Sequence, residues 1–267
     1  MDRPLAILCA LTFVIHLVGT LAYAVRIAGV RTRRIAVSFA LFNILVLVSR
    51  TSNSFQGPFL AKRIEQHLSR ADGHDLLADF RWLLLAASIA TLAGALLVPT
   101  FQRLFSRAVL HFQQHRSLPR LVWHGLARSG YEPWRRVARL PSPVHLRAMR
   151  QRHAATAGVI AMNVFATALW TVGVFASLYA GCLDPSLRVT ASTLSSVING
   201  VATILMFVVI DPQLSVMTDD VVDGRLGEPA FRRTIVWLIA SRLLGTLLAQ
   251  ALIVPAAMLI AFIARAI

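Results

Sequence analysis

The sequence predicts an all-α polytopic membrane protein. Six transmembrane helices are expected, as two inverted three-helix repeats joined by a long basic, amphipathic cytoplasmic loop. Three observations carry this. Apolar residues make up 57% of the 267, and mean hydropathy is +0.66, far above a soluble domain. Six apolar runs approach the roughly 20 residues that cross a bilayer. The formal net charge of +15 sits in the gaps between those runs, so it reports topology and not the basic patch of a nucleic-acid binder.

The first run covers residues 4–25. Ala22-Tyr23-Ala24 has the form of a signal-peptidase site. Asp2 beside Arg3 is not a positive leader start, however, and cleavage would place the arginine-rich loops outside, so the run is expected to remain a span. The other runs cover about 35–57, 82–102, 155–182, 190–211 and 234–264. Arg26, Arg31, Arg33 and Arg34 stand between the first two with no acid, and the arginines from Arg103 to Arg152 face Glu132 alone. Residues 59–81 instead balance Lys62, Arg63, Arg70 and Arg81 against Glu65, Asp72, Asp75 and Asp79. The positive-inside rule therefore puts both basic loops in the cytoplasm and both termini outside. Arg225, Arg232 and Arg233 face Asp219, Asp220, Asp223 and Glu228 in the last loop, which fits less well, but acids carry little weight in that rule.

This divides the chain into a first three-span half (1–102), a basic cytoplasmic loop (103–153) and a second three-span half (154–267). Phe101, Leu104, Phe105, Val109 and Phe112 recur at helical spacing, so span three is expected to continue as an amphipathic helix. Trp123, Tyr131 and Trp134 alternate with arginines, a mixture suited to helices lying on the anionic inner leaflet. Cys9 and Cys182 read as two small buried hydrophobes, with their pairing left open.

A shift of about 155 residues aligns the halves. Ala93-Gly94-Ala95-Leu96-Leu97-Val98-Pro99 falls on Ala249-Gln250-Ala251-Leu252-Ile253-Val254-Pro255, Val18-Gly19 on Val172-Gly173, and Asn43 on Asn199. Each match alone is weak; that all three span pairs accept almost one shift is the argument. Three spans per half is odd, so the halves run in opposite orientations, as transporters with a site at the repeat interface do.

Asn43 to Pro58 is the oddest stretch, because an apolar run ends abruptly in Ser49-Arg50-Thr51-Ser52-Asn53-Ser54 with Gln56 beyond. An arginine at the centre of a membrane helix costs about 2.5–3.5 kcal/mol, so it is rarely left facing lipid. Asn43, Arg50 and Ser54 lie within roughly 40° of one another on a helix. Thr12, His16 and Thr20, then Asn163, Thr167 and Thr171, then Ser195, Asn199 and Thr203, form further stripes. Any one stripe can simply bond helix to helix; four together point to a shared hydrated cavity. Arg242 enters roughly 12 Å deep in span six, near Asp211-Pro212, so an Arg242–Asp211 pair is expected as a brace or an inner gate. His16, near midplane, is either a hydrogen-bonded strut or a proton carrier.

The sequence has no G-x-x-x-x-G-K-[ST] for ATP, no H-E-x-x-H or clustered carboxylates for a metal, and no nucleophile beside a base at recognisable spacing. No cofactor is expected.

Ala28-Gly29-Val30-Arg31-Thr32-Arg33-Arg34-Ile35-Ala36, then Leu47-Val48-Ser49-Arg50-Thr51-Ser52-Asn53 with Gln56 and Pro58, resemble the Amj family; so do Asp211-Pro212 and Asp219-Asp220-Val221-Val222. Amj proteins are bacterial lipid II flippases that can substitute for the unrelated MurJ. The resemblance spans the whole chain and implies that the load is the polyprenyl-pyrophosphate-linked peptidoglycan precursor, moved from the inner to the outer leaflet of the cell membrane. Under that reading Arg26, Arg31, Arg33 and Arg34 gather anionic head groups at the inner face, where anionic lipids are also partners. Arg50 and Arg242 receive the pyrophosphate through paired charge-assisted hydrogen bonds, and Asn43, Asn53 and Gln56 bond sugar or peptide. His16, Asp211 and Asn199 are the candidates for gating or proton coupling.

Three other readings stay open. They are an integral-membrane enzyme acting on a polyprenyl phosphate, a small-anion transporter, and a scaffold recruiting cell-wall synthesis proteins through the basic loop.

Overall fold

The computed structural model describes residues 2–70, 75–115 and 155–267. Six helices in it are long and apolar enough to cross a membrane. All but the fourth are longer than the apolar runs, because polar and charged residues extend those helices at their ends. α1 (Arg3–Thr32) starts at Asp2, whose carboxylate accepts the Leu5 N–H at 3.0 Å. It stops where Arg33 turns left-handed at φ 52°, so that Arg33 N–H reaches Val30 O at 3.1 Å and Arg34 N–H reaches Gly29 O at 3.0 Å. The chain reverses there into α2 (Ile35–Arg70).

α3 (Leu76–His115) runs on through the Phe101–Phe112 stripe, as its periodicity predicts, with Phe105 and Val109 buried against α1 and α2. Trp123, Tyr131 and Trp134 lie outside the described residues. α4 (Ala157–Leu183) is capped by Thr156, whose hydroxyl accepts from Val159 N–H.

The fifth span is not one helix. A short 3-10 turn (Pro185–Leu187) leads to α5 (Arg188–Thr193) and α6 (Ser195–Ile204), then a π-helical turn (Leu205–Ile210) and α7 (Asp211–Val222). The π turn sits where Pro212 removes a backbone donor and its ring crowds the carbonyl four residues back. α8 (Glu228–Ala266) completes the bundle.

Packing follows the halves. α1 lies along α3 with α2 on its flank; α4 lies along α8 with α5, α6 and the π turn on its flank; α3 and α8 meet at the seam. Gly94 lets α3 close onto Thr20 of α1, and Gly245 lets α8 close onto the Val164 carbonyl and Thr167 of α4. Leu5 and Leu8 share a buried cluster with Ile253 and Ile260, so both termini lie at one end of the bundle, the terminal end. Ile27 and Val30 cluster with Phe231 and Ile235 at the other, the loop end. Cys9 and Cys182 are free thiols packed against the cluster at the terminal end.

Candidate functional site

The interior polar residues gather where α1, α4 and α8 meet. Arg242 of α8 is only 6% exposed, and its guanidinium lies against Gly19 of α1, where a Cβ would meet Nη2. Its polar partner is the Tyr23 hydroxyl; its Nε is buried with no acceptor. Among the described residues no carboxylate pairs with it. Taking such a charge out of water costs several kcal/mol when nothing compensates it. Tyr23 in turn meets Asn163 of α4, which donates to Ser241 Oγ at 2.7 Å and to the Leu238 carbonyl at 3.0 Å. Around this chain of contacts, His16 Nδ1, Asn163 Oδ1 and Thr167 Oγ1 are buried without partners. A positive centre edged by spare polar atoms suits an anion or water, not a sealed apolar core.

Asp211 is not the partner of Arg242. It accepts from Arg26 Nη2 at 2.8 Å, and Arg26 also lies over the Phe39 ring at 5.1 Å. Both residues meet α1, but about two helical turns apart, Asp211 at Arg26 and the Arg242 guanidinium at Gly19. Arg31 likewise joins the halves, with Nε 3.3 Å from Glu228 Oε1, whereas Arg33 and Arg34 are exposed at the α1–α2 turn. At the terminal end, Arg63 bonds both Asp79 and Asp2 at 2.6 Å, and Arg265 bonds Asp184 at 3.0 Å; each set stays within one half.

α2 has three surfaces. Ser38, Leu41, Phe42, Ser52, Gln56 and Leu60 are buried. Ile44, Leu47, Val48, Phe55 and Phe59 are exposed on one flank, as lipid-facing residues are. Asn43, Arg50, Asn53 and Ser54 are exposed on the other, with Asn53 roughly 60° round the helix from Arg50. Among the described residues Arg50 has no carboxylate partner. Gln56 separates from this group, because its Nε2 donates to Thr12 Oγ1 and ties α2 to α1.

The other stripes divide similarly. Thr12, His16 and Thr20 are buried, as are Asn163, Thr167 and Thr171, and the hydroxyls of Thr12, Thr20 and Thr171 bond back to carbonyls four residues earlier. Asn199 is half-buried on α6, seated against Gly173 of α4, with Oδ1 unpartnered. Gly19 and Gly173, which the shift of about 155 residues aligns, thus each admit a polar side chain, Gly19 that of Arg242 and Gly173 that of Asn199. Tyr23 and Ser241 were absent from the sequence-based candidates. Tyr23 falls seven residues after His16 and so on the same face, which is the signal that could have found it.

The family model described as Amj, Alternate to MurJ, matches residues 11–264. A protein of Bacillus subtilis (strain 168) named Lipid II flippase Amj is 36% identical over 268 residues, covering 98% of this chain and 97% of that protein. No solved structure matches. With a family match from span one to span six and a relative aligned over nearly its whole length, the chain belongs to the Amj family.

Proposed function

We propose that this protein is a lipid II flippase of the cell membrane, a transporter and not an enzyme, carrying the lipid-linked peptidoglycan precursor from the inner to the outer leaflet. The load is that of the 36% identical relative. The observation in the fold that carries the reading is Arg242, a guanidinium held in the interior with no carboxylate among the described residues and with spare polar atoms around it. Arginine's planar fork bonds phosphate oxygens in pairs, so a pyrophosphate in transit would be held there. Arg50, with Asn43 and Asn53 on the open polar flank of α2, would meet the hydrated head while the tail stays in lipid. Arg31, Arg33 and Arg34 would gather anionic lipid at the entry face, and the basic loop would rest on that leaflet or dock cell-wall synthesis proteins.

The positive-inside pattern supports a cytoplasmic loop end and extracytoplasmic termini. The shared packing plan of the two halves, together with the internal sequence match, supports an inverted repeat whose halves rock against each other. Closure by Arg26–Asp211 and Arg31–Glu228 would then shut the cytoplasmic side, with His16 and Asn199 lining the path. In a cell negative inside, outward movement of an anion gains about 2.3 kcal/mol per charge per 100 mV. Expression in cells stripped of other lipid II flippases tests the reading. Outward exposure of lipid II should be restored; no restoration despite normal membrane insertion would overturn it.

A further inference from the structure

Among the described residues no carboxylate neutralises Arg242, so its contact with a phenol carries unusual weight. Gly19 and Tyr23 stand four residues apart on α1 and share one face. The Arg242 side chain lies along that face, with its tip against Gly19 and the Tyr23 hydroxyl as its polar contact. Tyr23 is 7% exposed and clusters with Ile27, Phe231 and Ile235, so apolar packing fixes the ring and the hydroxyl is its one polar feature. Tyr23 belongs to the first half, whereas Arg242, Asn163 and Ser241 belong to the second. The contact therefore crosses between the halves.

A phenol is a particular kind of partner. It gives the guanidinium an acceptor without cancelling the charge, as a carboxylate would. A phosphate brings full negative charge and paired oxygens that fit the guanidinium fork, where the phenol brings one neutral oxygen. A phosphate entering the site therefore wins the guanidinium. The exchange strands neither side. Asn163 Nδ2 already lies 3.4 Å from the Tyr23 hydroxyl and supplies it with a second donor. Arg242 has a buried, unbonded Nε to offer the newcomer.

We infer that Tyr23 is the resident partner of Arg242 in the unloaded protein and gives it up to the phosphate of the load. The hydroxyl is a placeholder, which keeps the fork in position while the site is empty. Because the two residues belong to different halves, a rocking motion separates them, and the load favours the separated arrangement. The inference rests on the reading of Arg242 as the group that holds the pyrophosphate in transit.

Tyr23→Phe is the test. It removes the hydroxyl and keeps the ring in its cluster, and Asn163 retains Ser241 Oγ and the Leu238 carbonyl as acceptors. Full-length protein in detergent is titrated with lipid II, and retention is read by native mass spectrometry beside the melting temperature. Loss of the competitor should tighten retention about tenfold, the order of one hydrogen bond to a charged group. A hydroxyl that only supports the fold would weaken retention instead. The gain should vanish when Arg242→Gln is added, because no fork is then left to release. Unchanged or weaker retention in Tyr23→Phe, or a gain that survives Arg242→Gln, would overturn the inference. If Arg242→Gln alone weakens retention while Tyr23→Phe changes nothing, the placeholder falls and the reading of Arg242 stands. If the retention pattern holds but wild type restores no lipid II export in cells stripped of other flippases, the placeholder stands and the flippase reading falls.

Discussion

The guanidinium of Arg242 occupies the space beside Gly19 where any other residue would place its Cβ. One missing side chain on α1 thus makes room for a charge in the interior of the α1–α4–α8 junction. Because the atom met is the tip of a long side chain, Gly19→Ala should displace Arg242 and leave the helices in place. Lipid II export should fall about tenfold with melting temperature little changed, as expected when a phosphate-binding fork is misaimed by an ångström. Arg242→Gln should lose more, and Arg242→Lys should recover part of it, because an ammonium gives charge without the planar fork. Full export in Gly19→Ala with a displaced guanidinium would separate Arg242 from the transport path.

Arg50 makes a different prediction, because it is exposed on α2 and bonds no carboxylate among the described residues. Arg50→Ala removes a charge that helps no packing, so stability should hold or rise slightly. If Arg50 meets the hydrated head group, export should fall by about tenfold or more, and Arg50→Lys should restore it only in part. Export assays beside thermal unfolding in detergent separate the two effects. Unchanged export in Arg50→Ala would leave Arg50 as a surface residue with no part in transport.

Much of this was legible in one dimension, and the failures have a common physical cause. Length and hydropathy announce a membrane span, because a bilayer demands about 20 apolar residues whatever the helix packs against. The polar stripes were legible for the same reason, since 100° per residue is intrinsic to the helix. Periodicity shows which residues share a face, but not which neighbour covers that face. Gln56 therefore looked like part of the Arg50 group until Thr12 proved to be its partner. Counting residues from the span ends put Asp211 beside Arg242, but the two meet α1 seven residues apart, Asp211 at Arg26 and Arg242 at Gly19. Pro212 was visible in the sequence; the π turn preceding it depends on how the backbone absorbs the lost donor.

The Arg26–Asp211 pair joins the halves at the loop end, with Arg26 mostly buried and Asp211 41% exposed on its side chain. Solvent at Asp211 limits the pair to about 1 kcal/mol, close to a fivefold change in an open–closed ratio. Asp211→Asn should raise the labelling rate of a cysteine placed at the loop end by up to about fivefold if this pair helps close that end. The charge swap Arg26→Asp with Asp211→Arg should bring the rate back toward wild type. Labelling that ignores both the single substitution and the swap would make the pair a static brace.

At the terminal end, Arg63 holds Asp79 and Asp2 together, and so fastens α2 to α3 and to the start of α1. Both Arg63 and Asp79 are buried, so Asp79→Asn should destabilise the first half, but by less than the roughly 3 kcal/mol of a buried charge left wholly unpaired, because Asp2 still bonds Arg63. Asp2 is the exposed arm of the same network and gives it a pH dependence. The hydrogen bond from Arg63 holds the Asp2 carboxyl below its ordinary value of 3.8. A carboxylate lowered on folding stabilises at pH values above its unfolded pKa, and that contribution fades as pH falls through the folded value. Wild type should therefore melt above Asp2→Asn at neutral pH, and the gap should close as pH drops below 3.8. Melting curves of both proteins in detergent, taken down to about pH 3, check this. A gap that persists in acid would mean that the charge of Asp2 on Arg63 is not its source; the cap on Leu5 is kept in Asp2→Asn, since an amide oxygen accepts that N–H equally well.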